Sequence, residues 1–343
     1  MRIKGIGAAL AAAVLGWSTG AVAQPANLEA RFDSVLGTQP RAAAVAPASH
    51  ISDLQQRVAA LAEPSRGRIG VMAVDLSTGQ EVAVLADQRF PMASTSKIAV
   101  AATFLEGVEQ GRWTLSSEFP LLIPRQSARF SSAVAPVTQG RYMPAIDLIE
   151  IMIARSSNPA TDALLAAVGG PGVVSNWMRR NGITEFSLDR DIATLVRDDG
   201  EFNPAIHVDV RDSATPRAMV TFLRGLHEGH YLSPTSRQII LGAMSRTVTG
   251  QRRIRALMPM NAQVAHKTGS LNNTSSDVGI VTLPDGRAVA MAIYVTGQGT
   301  RLEREAKIAS IARVLYDGFS STPATQTLAQ QRFEQGSGRI IGN

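Results

Sequence analysis

Ser94 and Lys97 stand three residues apart in "RFPMASTSKIAVAATFL", Arg89 to Leu105. That spacing places both side chains on one face if a helix begins near Ser94. A hydroxyl at a helix N-terminus meets free amides and a dipole that favour developing negative charge. Serine is a weak nucleophile until a base takes its proton. Lysine can become that base when its surroundings depress its pKa, whereas arginine stays protonated. The chain otherwise uses arginine almost throughout, with 30 Arg against only Lys4, Lys97, Lys267 and Lys307. The helix that follows, "IAVAATFL", is apolar on every side, so Lys97 starts a buried segment instead of a solvated one.

Two further stretches carry polar groups suited to the same chemistry. "RSSNPATD" holds Ser156, Ser157 and Asn158, and "HKTGS" holds Lys267, Thr268, Gly269 and Ser270 on an expected strand. "HEGH", His227 to His230, offers two histidines and no third ligand, which reads as surface, so no metal is expected. The absence of cysteine excludes disulfides and cysteine-based zinc sites. No phosphate-cradling glycine loop is present, and no cofactor is expected.

The surrounding elements follow from pattern. The chain has 343 residues, 45% of them apolar, enough for one large domain or two lobes. "MRIK", a short apolar run and "AVA" at Ala21–Ala23 read as a signal peptide over 1–23, cleaved before Gln24. The apolar run is too short to span a bilayer, and no later run is long enough. Residues 24–50 are Ala/Pro-rich and read as a flexible leader. "ISDLQQRVAALAEP" reads as a helix capped by Ser52. "RIGVMAVDL" and "EVAVLADQ" read as a hairpin. Helices are expected to dominate from Pro91 to about Met244, strands return with "AQVAHKTGS", "SDVGIVTL" and "RAVAMAIYVTG", and "RLEREAKIASIARVLYDGF" reads as a closing amphipathic helix. The expected fold is α+β. Residues 51–90 and 245–320 form an antiparallel sheet packed with helices, 91–244 an inserted helical lobe, and 321–343 a frayed tail. The long segment 189–212 is poorest in regular pattern, which marks it as functional.

The formal charge is +6, or +4 once Arg2 and Lys4 leave with the signal. The arginines are scattered and aromatics are 5%, so nucleic acid is not an expected partner. Export to the periplasm or medium, without a membrane anchor and as a monomer, is expected.

The order Ser-x-x-Lys, Ser-x-Asn, Lys-Thr-Gly resembles the penicillin-recognising serine hydrolases, most closely the class A β-lactamases. "RFPMAST", "LDR", "RDSATPRAM", "LSPTSR" and "TGQRRIRA" extend the resemblance over roughly Ile51 to Phe319. It implies that Ser94 is acylated by the lactam and that Lys97 helps remove its proton. It implies that Ser156 protonates the leaving nitrogen and that Lys267 supports Ser156 and attracts the substrate carboxylate. Asn158 would hold Lys97 and the substrate amide. The amides of Ser94 and Ser270 would form the oxyanion hole, Gly269 would let the strand approach the ligand, and Thr268 and Ser270 would offer hydroxyls to the carboxylate.

Three departures from the family pattern stand out. Ser157 replaces the usual Asp, Asp162 the usual Asn, and Ser275 an Arg that faces the substrate carboxylate. Arg253 is the expected substitute for that arginine. The loop acid that activates water in the family is ambiguous here. Counting from "LDR" gives Ile192; counting back from Arg211–Asp212 gives Asp199, with Asn203 in register, and Asp199 is preferred, with Asp191 and Glu201 as competitors. Arg190 and Asp212 are expected to pair across the loop's neck. The resemblance thus implies a β-lactamase for penicillin- or cephalosporin-type antibiotics. A D-alanyl-D-alanine carboxypeptidase-like penicillin-binding hydrolase and a relative without turnover remain the alternatives.

Overall fold

The computed structural model describes residues 47–64 and 66–322, with side chains from Ile51 onward. The expected signal peptide, the leader up to residue 46 and the tail from 323 lie outside the described residues. The first helix, α1, spans Pro47–Ala62 and so begins before Ser52. Nothing in the preceding residues breaks a helix, and proline suits its first turn.

Strands β1 (Arg68–Asp75) and β2 (Glu81–Val84) form the expected hairpin. The strands β8 (Gln263–Leu271), β9 (Thr274–Thr282) and β10 (Ala288–Thr296) come from the other end of the chain, and the sheet order is β2-β1-β10-β9-β8, antiparallel throughout. Alternation along the strands feeds two cores. Val289, Met291, Ile293 and Val295 of β10 pack with α1 and the last helix, α9 (Arg301–Ser321), while Ala290, Ala292 and Tyr294 face the helical middle. A complete capping box, Thr300 with Glu303, starts α9.

Between β2 and β8 lie the short strand β3 (Phe90–Pro91), a 3₁₀ turn at Ala93–Ser96 and α2 (Lys97–Glu109). They are followed by a hairpin of β4 (Glu118–Pro124) and β5 (Val137–Pro144), then α3 (Ala145–Ala154) and α4 (Asn158–Val168). Next come α5 (Pro171–Arg180), β6 (Phe186–Ser187), the short α6 (Ile192–Arg197), β7 (Ser213–Ala214), α7 (Pro216–Glu228) and α8 (Pro234–Ser245). The β4–β5 hairpin departs from the expected run of helices. "EFPLLIP" carries two prolines, which a helix interior rejects, and Phe119 anchors the strand in an aromatic cluster, 5.6 Å from Phe104 and 6.3 Å from Trp113.

Candidate active site

The apolar sequence after Lys97 buries α2 completely from Lys97 to Leu105. Ser94 sits just before it, in the 3₁₀ turn, and is half-buried. The residue before Ser94, Ala93, adopts φ +49°, a left-handed conformation unfavourable to a side chain. Gly269 of β8 explains how the turn is held. A Cβ there would lie 2.5 Å from the Met92 carbonyl and 3.1 Å from Ala93 Cβ. The glycine therefore lets β8 close on the turn that carries Ser94.

Ser156 follows the C-terminus of α3 and also lies in the left-handed region, φ +57°. Such a conformation costs on the order of 1–3 kcal/mol and persists only when its surroundings fix it. Two buried lysines do so. Lys97 Nζ donates to Ser156 O at 2.8 Å, to Ser156 Oγ at 3.3 Å and to Asn158 Oδ1 at 2.6 Å. Lys267 Nζ donates to Ser156 Oγ at 2.9 Å and to Thr268 O at 3.0 Å. Three separate elements, α2, the α3–α4 junction and β8, therefore converge on one hydroxyl. Among the described residues, the bonds of Lys97 Nζ go to Ser156 and Asn158 and not to Ser94. Ser157 caps α4 by accepting from Ala160 N, a role serine fills as well as aspartate.

Two ammonium groups confined together depress each other's protonation. Burial pushes Lys97 well below the usual lysine range; the charge of Lys267 pushes it further down, and Asp162 opposes both. Burial brings Lys267 down to about 7, with Asp277 opposing and Arg253 adding to the fall. Asp277 is itself fully buried and bonded to His266 Nδ1 at 2.9 Å. His266 thus belongs to the polar pair beneath Lys267. Thr268 Oγ1 shares a 2.7 Å hydrogen bond with Thr249, which opens "TGQRRIRA" and to which the sequence assigned no role.

Arg253 departs from its expected place. It is 1% exposed, lies behind β8 and β9, and bonds Gly269 O and Ser276 O at 2.7 Å each. Its charge is met by Glu305 at 2.9 Å. It reaches the outer surface of β8 only through Ser270 Oγ, at 2.6 Å. A buried guanidinium needs these partners, which is why it holds the strands together and presents no free fork to a carboxylate. Ser275 Oγ accepts from another buried arginine, Arg304, at 3.3 Å.

The loop acids also have partners of their own. Asp199 accepts from Asn272 N at 2.8 Å and lines a cavity of about 60 Å³ with Arg190, Glu201 and Leu271. Burial raises its pKa; the amides of Asn272 and Gly200, then Arg129 and Arg190, oppose that rise, and neither Ser94 nor Lys97 lines the cavity it faces. Asp199 is therefore not brought to the Ser94–Lys97 centre. Asn203 turns the same way, accepting from Asn273 Nδ2 at 3.0 Å. Asp191 caps α6 at Thr194 N, and Glu201 pairs with Arg211. Beside Asn158 the loop presents Ile192, Ala193 and Val196, lining a cavity of about 300 Å³. Arg190 and Asp212 do pair at the neck, Nε to Oδ2 at 2.6 Å, and Asp212 also accepts from the Asp189 and Arg190 amides. His230 of "HEGH" lies against Glu228 at 3.3 Å, and among the described residues no group of three metal-ligating side chains occurs.

The profile of the beta-lactamase enzyme family matches residues 53–319. The chain is 33% identical over 276 residues to beta-lactamase CTX-M-8 of Citrobacter amalonaticus, covering 78% of this chain and 90% of that one. It is 32% identical to the carbapenem-hydrolyzing beta-lactamase KPC of Klebsiella oxytoca, covering 74% and 84%. Among solved structures, a beta-lactamase from Chitinophaga pinensis superposes with TM-score 0.68 at 28% identity, covering 78% of this chain and 99% of that one. The chain belongs to the beta-lactamase enzyme family.

Proposed function

We propose that the protein is a serine β-lactamase that opens the lactam amide of penicillin- and cephalosporin-type antibiotics through an ester on Ser94. The observation that carries this reading is the convergence of Lys97 Nζ and Lys267 Nζ on Ser156 Oγ. Lys97, depressed by burial, takes the Ser94 proton as Oγ adds to the lactam carbonyl. The C–N bond breaks and the nitrogen takes the Ser156 proton, which Lys97 and Lys267 are placed to replace. Lys267, Thr268 and Ser270 line the strand edge where a substrate carboxylate would lie, Asn158 steadies Lys97, and backbone amides at Ser94 and Ser270 would bind the oxyanion. Arg253 contributes indirectly, by holding the Ser270 hydroxyl. The "AVA" site before Gln24 supports export with cleavage there, to the periplasm or medium. No described helix is long and apolar enough to cross a membrane.

The test is a time course of intact-protein mass with excess benzylpenicillin. An adduct that forms and then clears as penicillin is hydrolysed is the expected result. A permanent adduct would favour a carboxypeptidase-like penicillin-binding protein, and penicillin left intact with no adduct formed would sink the reading.

A further inference from the structure

We propose that Asp162 is the counter-charge that lets Lys97 act as the base of deacylation, in place of an acid on the long loop. This rests on the β-lactamase reading above. Asp162 lies one helical turn along α4 from Asn158, so the two share a face, and Asn158 Oδ1 holds Lys97 Nζ at 2.6 Å. The carboxylate whose charge reaches Lys97 is that of Asp162. It is 3% exposed and fixed by two amides at the start of α6, Ile192 N at 2.7 Å and Ala193 N at 2.9 Å. The loop position beside Asn158 is occupied by the apolar Ile192, and each rival acid is engaged elsewhere. A neutral Lys97 that gains a proton becomes an ammonium in a buried site, and a fixed negative charge one group away favours that state.

In the step, a water oxygen bonds to the ester carbon and its proton passes to Lys97 Nζ. The tetrahedral adduct collapses, the bond from carbon to Ser94 Oγ breaks, and the same proton returns to Oγ. Ester and water become acid and serine hydroxyl, with no other reactant. Asp162 is a positioning residue here, because it works through Lys97. Burial raises Asp162 to about 6, opposed by the Ile192 and Ala193 amides and by Lys97 and assisted by the charge of Asp191. The counter-charge is therefore present above about 6 and lost as pH falls through it.

The mature full-length protein and its Asp162→Asn and Asp199→Asn variants are mixed with benzylpenicillin and followed by quenched-flow intact mass. Because Lys97 also takes the Ser94 proton, Asp162→Asn is expected both to form the adduct more slowly and to clear it about 100-fold more slowly, the scale of a lost acid–base partner. Asp199→Asn is expected to clear it nearly as the unsubstituted protein does. Normal clearance by Asp162→Asn, or a trapped adduct in Asp199→Asn, overturns the proposal. Asp162 also anchors the loop, so a second measurement guards against misfolding. The deacylation rate of the unsubstituted protein should fall as pH drops through about 6. A deacylation rate that stays flat across that range overturns the proposal without any variant. Failure of the unsubstituted protein either to form an adduct or to hydrolyse the penicillin would instead remove the β-lactamase reading itself.

Discussion

The Ser94–Lys97–Ser156–Lys267 centre and the 189–212 loop are both polar, yet they spend their polar groups in opposite ways. In the centre, two buried amines with depressed proton affinity share one serine hydroxyl, and two backbone positions, Ala93 and Ser156, are held at positive φ. In the loop, charges neutralise one another: Asp212 with Arg190, Glu201 with Arg211, Asp198 with Arg197. Positive φ does not separate the two, since Asp212 at the loop neck is also at +48°; amines with lowered proton affinity mark the centre, and satisfied ion pairs mark the loop.

Removing the nucleophile should divide the two regions most sharply. Ser94→Ala is expected to reduce β-lactam turnover by roughly 10⁴-fold or more, as loss of a catalytic nucleophile does. Its stability should change by no more than about 0.5 kcal/mol, because Ser94 is half-buried at a turn and its hydroxyl is not needed to fix the fold. Paired steady-state kinetics and urea unfolding measure both effects. A large loss of stability would mean that the centre is built around Ser94 and not around Ser156.

The reverse pattern is expected at the loop neck. Asp212→Ala leaves the Arg190 guanidinium and two amides without their acceptor. It also places at φ +48° a residue that, unlike aspartate, has no side-chain hydrogen bonds to offset the left-handed conformation. Breaking a pair this buried costs about 3–5 kcal/mol, readable as a shift in urea midpoint. The acylation burst should survive, since the one bond from the Ser94 turn, Met92 N to the Asp212 carbonyl at 3.0 Å, is to backbone that alanine retains. Loss of the burst at a temperature where the variant is folded would show that the loop also shapes acylation.

The smallest expected effect sharpens the electrostatics. Lys267 is brought down to about 7, so it is cationic below that pH and increasingly neutral above it. If it attracts the substrate carboxylate, kcat/KM should decline as pH rises through about 7, because kcat/KM reports groups of the free enzyme. A β-lactam whose carboxylate is esterified should lack that decline. An identical profile for both substrates would take Lys267 out of carboxylate binding.

The centre was legible because its spacing is short and local. Residues 94 and 97 share a helical face, Lys267 to Ser270 run along one strand, and an apolar helix behind Lys97 announced a buried amine. The loop was illegible for the complementary reason. Two registers were open, and the acid spaced like the family's, Asp199, is claimed by the Asn272 amide on the β8–β9 turn, 73 residues away. The β4–β5 hairpin was hidden because its strands have weak alternation and are defined by pairing with each other.

By itself, the sequence determined the element types, the three motifs and the apolar bury-or-expose pattern, since each depends on neighbours within a turn or two of backbone. Only the tertiary structure decided which charges answer one another. It turned Arg253 inward to Glu305, sent Asp199 to Asn272, and fixed Asp162 on the Ile192 and Ala193 amides. A charged side chain placed in a low-dielectric interior must find a partner, and which partner is in reach is fixed by packing between segments far apart in the chain.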